Sequence, residues 1–180
     1  GSMDKELMKL VLSQASDEVG EKFKDQPLVE AEIRDVIGAT YTSLGQYKEA
    51  EPHVLQSMNI LRHELGDDHP DTLALVGNMG VLSRKQAEFE EAMLYVVESL
   101  EGHRRVLGDD HPNTLRAINN MGHLLKAQGK YEEAMPYYVE ALEGSRKILG
   151  NEHPDTLVSL NNMGMLLSKQ GKYEEAMPYY

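Results

Sequence analysis

Amide and cationic side chains recur in this chain at a fixed step. Asn78, Asn120 and Asn162 lie 42 residues apart, and Asn119 and Asn161 stand immediately before the second and third of them. The same stretches carry Arg84 and Lys85, Arg116, His123 and Lys126, and Lys169. A carboxamide offers both a donor and an acceptor, which is the complement of an extended peptide backbone. Guanidinium and ammonium groups attract carboxylates. His123 among them reads as a polar contact rather than a ligand or base. A second series, His69, His111 and His153, keeps the same step, each before a proline. Metal ligands must converge at about 2 Å, whereas packed helices stand about 8–10 Å apart. Equivalent loops therefore cannot share an ion, and these histidines read as loop signature with no metal. Glu132-Glu133 and its equivalents pair carboxylates in sequence only, because adjacent helical positions face apart. No phosphate-binding loop, Ser-His-Asp set or HExxH stretch is present. No catalytic residue and no cofactor are expected, and the chain does not read as an enzyme.

The elements that position these side chains are copies of one unit. Gly108–Tyr138 and Gly150–Tyr180 are identical at 22 of 31 positions, and a third copy begins at Gly66. A fixed period of this size means stacked supersecondary units, each touching only its neighbours. In every copy a loop ends at a proline (Pro70, Pro112, Pro154), which opens a first helix. That helix ends near Ala87, Gly129 or Gly171. Glycine there supplies the left-handed residue after a helix, and Ala87 departs from the rule. A second helix begins at Phe89, Tyr131 or Tyr173, and the complete ones run to about Leu65, Leu107 and Leu149. A degenerate first copy fits the register, because Gly38 and Ala50 fall 42 residues before Gly80 and Ala92. Its first helix is expected from about Leu28 to Leu44.

Gly38, Gly80, Gly122 and Gly164 recur in the middle of the first helices, where glycine costs about 1 kcal/mol relative to alanine. Repeating that cost at one position implies a close approach by the partner helix. Ala50, Ala92, Ala134 and Ala176 are the matching small residues. Pro52, Pro136 and Pro178 lie near the start of the second helices, where each removes one backbone donor. Ahead of the array, Met3 to about Lys24 reads as helix, with a break near Gln14 as the alternative. Its stripe of Leu7, Met8, Leu10 and Val11, continued by Val19 and Phe23, is expected to cap the first copy. The expected division is 1–26 for a cloning scar (Gly1-Ser2-Met3) and capping helix, then 27–66, 67–108, 109–150 and a truncated 151–180.

Bulk composition excludes several classes. The net charge is −12, which argues against a nucleic-acid backbone as ligand. The chain has no cysteine, hence no disulfide or thiolate metal site. No apolar run reaches the roughly 18 residues of a membrane span. A soluble, cytoplasmic protein is expected. The stop at Tyr180, inside an expected helix, reads as a fragment of a longer chain.

The order of mid-helix Gly122, then Gly129, Tyr131 and Ala134, resembles the tetratricopeptide repeat. The 42-residue step, the Leu-Gly-x-x-His-Pro-x-Thr loop and the Asn-Asn-Met-Gly stretch resemble more specifically the repeats of kinesin light chains and of related bacterial signalling proteins. The resemblance covers roughly Leu28 to Tyr180. It implies an all-α solenoid, a right-handed superhelix of antiparallel helix pairs with an N-terminal capping helix. It also implies a concave face lined by the first helix of each unit, a face that commonly binds a peptide.

Counting from the mid-helix glycine, the positions leaning into such a groove are Asn119, Asn120, His123, Lys126 and Ala127 in the third unit. In the fourth they are Asn161, Asn162, Met165, Ser168 and Lys169, and in the second Gly77, Asn78, Val81, Arg84 and Lys85. Asp35, Val36, Ala39, Thr42 and Ser43 are the first unit's set, and Arg116 joins them one turn earlier. Units two to four hold amides and cations there and no carboxylate, in a strongly acidic chain. The expected partner is a protein or peptide carrying acidic residues, with no nucleic acid and no membrane. The asparagines could instead bond from helix to helix and set the packing of the units. The lysines near helix C-termini also complement the helix dipole. Two rival functions are self-association through the end of the array, where Leu166, Leu167 and Met177 are expected uncovered, and regulation of a further domain.

Overall fold

A computed structural model describes residues 2–180. Gly1, the first residue of the expected scar, lies outside them, and so does the side chain of Met8. The helices are α1 (Ser2–Lys22), α2 (Pro27–Ser43), α3 (Tyr47–Leu65), α4 (Pro70–Lys85), α5 (Phe89–Leu107), α6 (Pro112–Ala127), α7 (Tyr131–Leu149), α8 (Pro154–Lys169) and α9 (Tyr173–Ala176), with a 3-10 turn at Met177–Tyr179. Among the described residues there is no strand. Each helix packs on the next, and α4 also meets α6, so successive pairs stack in one direction.

Local chemistry sets the boundaries. Pro27, Pro70, Pro112 and Pro154 occupy the first turns of α2, α4, α6 and α8. The histidine before each of the last three is an N-cap. Its Nδ1 accepts the backbone N–H two residues on: Asp71 at 3.2 Å, Asn113 at 3.1 Å and Asp155 at 3.2 Å. The repeated histidines thus satisfy an orphan donor at each helix start. Within each pair the turn needs one left-handed residue, filled by Gly45, Gly129 and Gly171, and by Ala87 at φ 65°. Pro52 and Pro136 sit inside α3 and α7 without ending them.

The mid-helix glycines mark the crossing of each pair. A Cβ on Gly38 would lie 2.5 Å from Val54 Cγ2, on Gly80 2.7 Å from Val96 Cγ2, and on Gly122 2.8 Å from Tyr138 Cε1. Glycine therefore makes room for the residue one turn past the buried Ala50, Ala92 or Ala134. Two bonds repeat across pairs: Ser57 Oγ donates to the carbonyl of Ala31 at 2.7 Å, and Ser99 Oγ to that of Leu73 at 2.8 Å. The core forms two clusters along the stack, one with Ala31, Val54, Met58 and Val76 and the other with Leu100, Ile118, Leu124 and Leu166.

Two expectations about apolar faces are corrected. α1 is one helix with no break at Gln14, and only the C-terminal part of its stripe is covered. Leu7, Leu10 and Val11 are 62, 68 and 60% exposed, whereas Val19 is buried and Leu12 and Ala15 pack against the first cluster. α1 meets α2 through its C-terminal half, around Gly20, where a Cβ would stand 3.0 Å from Arg34 Nη2. At the other end, Leu166 and Leu167 are buried, because that side of α8 faces α7 and Ala176. Met177 is exposed as expected, together with Leu157 and Val158.

Candidate functional site

The first helices of the pairs (α2, α4, α6 and α8) share one face, and cavities open along it. One, of about 420 Å³, is lined by Asn113, Arg116, Asn119, Asn120, His123, Asp155 and Asn162 among others. A second, of about 530 Å³, is lined by Arg84, His123, Lys126, Ala127, Tyr131, Met165, Ser168, Lys169 and Tyr180. A third, of about 500 Å³ beside α2 and α4, includes Glu32, Asp35, Asp71, Asn78 and Arg116. Lys85 lines a smaller one with Asp35, Asn78 and Val81. Asn161, exposed on α8, lines none of these four.

The asparagines divide by what their amides already do. Asn162 is 3% exposed and donates to Asn119 Oδ1 at 3.4 Å, while Asn119 Nδ2 donates to Ser159 Oγ at 3.3 Å. Asn78 Nδ2 donates to Asp35 Oδ1 at 3.3 Å. These bonds run from one first helix to the next, so at Asn78, Asn119 and Asn162 the amide couples neighbouring units. Asn120 makes no side-chain hydrogen bond among the described residues, and its Nδ2 sits near Gly77, 3.7 Å from where a Cβ would be. Asn113, in the same cavity, likewise makes no side-chain hydrogen bond among the described residues.

Away from this face some cations form a repeating ladder with carboxylates, while Lys48, Lys130, Arg146 and Lys172 have no ion-pair partner among the described residues. Arg62 pairs with Asp67 and Glu98, Arg104 with Asp109 and Glu140, Arg105 with Asp68, and Lys147 with Asp110. On this face, Arg84, Lys85, Arg116, Lys126 and Lys169 have no ion-pair partner among the described residues. Burial pushes the Arg84 guanidinium and the Lys126 ammonium below their usual values, and Arg84 and Lys169 depress Lys126 further. His123 is held down to about 4, first by burial, then by Lys126 and Arg84. It is neutral, and Tyr138 OH lies 2.9 Å from its Nδ1. Burial raises the Tyr138 phenol, so that hydroxyl keeps its proton. Lys85 and Lys126 also sit over the rings of Tyr47 and Tyr138, each 5.7 Å from the centroid.

Asn113, Tyr131 and Tyr180 line these cavities and were not picked from the sequence. A signal was present: the two near-identical units differ at nine of 31 positions. Five of the nine line the cavities on this face: 113/155, 116/158, 123/165, 126/168 and 127/169. Positions that set helix ends and crossings repeat, and on this face varying positions stand among repeated ones such as Asn120/Asn162.

A stack of antiparallel helix pairs repeating from unit to unit is an α-solenoid, the architecture of interaction scaffolds. The Tetratricopeptide repeat family model matches residues 30–102, 95–147 and 116–180, and the chain belongs to that family. None of the curated proteins matches it. Among solved structures, BtubC (BKLC) from P. vanneervenii superposes with a TM-score of 0.79 at 18% identity, over 98% of this chain and 73% of that one. The nearly identical TPR-like repeats of a Podosopora anserina protein described as a kinesin light chain give 0.73 at 19%, over 98% and 85%. A Rap protein complexed with competence and sporulation factor gives 0.77 at 19%, over 98% and 49%. At these identities the likeness is one of fold, here the kinesin light chain-like tetratricopeptide solenoid. Among the described residues no helix is long and apolar enough to cross a membrane, and no group of three or more His, Asp or Glu side chains could hold a metal ion.

Proposed function

We propose that this chain is a scaffold whose array, over 27–180, holds an extended acidic peptide in the groove formed by α2, α4, α6 and α8. The observation that carries the reading is the set of groove cations with no carboxylate partner in a chain of net charge −12. Asn120 would bond the peptide backbone, Arg84, Lys126 and Lys169 its carboxylates, and Arg116 a carboxylate nearer α4. Glu32, Asp35 and Asp71 at the α2 end favour a basic residue there, which orients the peptide. The Rap structure, solved with a bound factor, supports ligand binding on this architecture. The test is display selection of random peptides on the protein and on Asn120→Ala/Arg84→Gln. Acidic peptides enriched by the first and lost by the second are expected. Equal enrichment by both would remove the groove from the account.

A second reading has its own observation. Leu157 and Val158 on α8 are exposed, although Leu115, the counterpart of Leu157, is covered by α7 at Gly144. Stacking of two copies through α8 would bury them. Sedimentation over a concentration series shows a dimer if this reading holds, and Leu157→Glu abolishes it.

A further inference from the structure

Three cations from three helices line one cavity: Arg84 of α4, Lys126 of α6 and Lys169 of α8. They are not copies of one repeated position. Arg84 and Lys126 are equivalent, but the fourth unit has Ser168 there and places its lysine one residue later, where the third unit has Ala127. The first unit has Thr42 and Ser43 and contributes no charge. Lys169 is the counterpart of Lys85, so the cluster combines two adjacent repeat positions, one filled by Arg84 and Lys126 and the other by Lys169. The helix dipole favours each cation singly near its own C-terminus. It gives no reason for side chains on different helices to share one cavity against mutual repulsion, which lowers Lys126 through both Arg84 and Lys169.

The rest of the cavity suits a compact anion. His123 adds a neutral imidazole whose Nε2 has no bond among the described residues. Tyr131, Met165 and Tyr180 supply less polar walls. One carboxylate would leave two of the three charges unanswered. A phosphoryl group brings a charge of about −1.5 to −2 and three acceptor oxygens. Arg84 offers a forked guanidinium, and the two lysines offer point charges.

We propose that this cavity binds the phosphoryl group of a phosphorylated residue carried on the acidic segment in the groove. The proposal rests on the peptide-groove reading and narrows its ligand to a phosphopeptide. The remaining groove, with Asn120 and Arg116, reads the chain on one side of the phosphorylated residue.

The experiment compares three immobilised degenerate peptide libraries flanked by Asp and Glu, with phosphoserine, glutamate or serine fixed at the centre. Each is passed over the protein and over Lys126→Gln/Lys169→Gln. The expected result is at least tenfold greater retention of the phosphoserine library than of the glutamate library, with that preference lost in the double variant. Lys169→Glu alone, at an exposed position, should also remove the preference, so a folding defect at Lys126 does not spoil the test. Equal retention of the phosphoserine and glutamate libraries, both above serine, overturns the phosphoryl site and leaves the acidic groove standing. Retention of none of the three overturns both readings. Amide shifts saturating with inorganic phosphate in the absence of library retention overturn the peptide-borne phosphoryl, because the cavity then takes the free ion alone.

Discussion

At the scale of single residues, two positions hold conformations or protonation states that their neighbours impose. Ala87 carries φ 65° at the turn where the other pairs use glycine. A left-handed alanine costs roughly 1–2 kcal/mol, and glycine returns part of that through unfolded-state entropy. Ala87→Gly should stabilise the protein by about 0.5–1 kcal/mol, read as a higher urea midpoint. His123 is held down to about 4, against about 6.5 in an unfolded chain. Between those values the unfolded chain binds more protons, so the neutral ring's contribution is complete above about pH 6.5 and is lost as pH falls toward 4. Urea denaturation from pH 7 to 4 should lose about 2–3 kcal/mol through this group, and His123→Gln should flatten that limb. An unchanged limb would mean the ring is not shielded as the geometry implies. These details are illegible in sequence: Ala87 is visible as an exception, but the burial of His123 depends on Tyr138, 15 residues away on another helix.

At the scale of elements, the helix pair is set by punctuation that sequence displays openly. Proline at each start, histidine before it and a left-handed residue between helices put α3, α5 and α7 where the repeat pattern expects them. Which face a helix buries is less visible. The apolar stripe of α1 looks like a capping surface, yet contact falls on Val19, because α2 presents the buried Glu30–Arg34 pair and its neighbours rather than a long apolar face. The asparagines show the same limit. Their period is plain in the sequence, but whether an amide faces a ligand or the next helix depends on the offset between stacked units. The structure spends Asn162 on Asn119 and leaves Asn120 open. The crossing glycines are more rigidly specified. In Gly122→Ala the new Cβ would meet the Tyr138 ring at 2.8 Å, with Tyr138 fully buried and unable to move aside. A loss of about 1–3 kcal/mol by thermal or urea unfolding is expected, whereas an alanine tolerated there would show that the α6–α7 crossing is looser than it stands.

At the scale of the whole molecule, the array separates constancy from variation. Core packing, caps and crossings recur from unit to unit, while charged groove positions change from acidic beside α2 to cationic between α4, α6 and α8. That gradient is a property of the stack and belongs to no single unit, so it becomes visible only when the pairs are placed side by side. It also gives the groove a direction. The acidic peptide obtained by selection offers the most direct measurement of the central claim: its titration into isotope-labelled protein, followed by backbone amide shifts. Saturable shifts concentrated in α4, α6 and α8, around Arg84, Asn120, Lys126 and Lys169, and weakening as salt rises, are the expected result. Shifts confined to the outer faces of α3, α5 and α7, or insensitive to salt, would contradict a groove that reads acidic peptides.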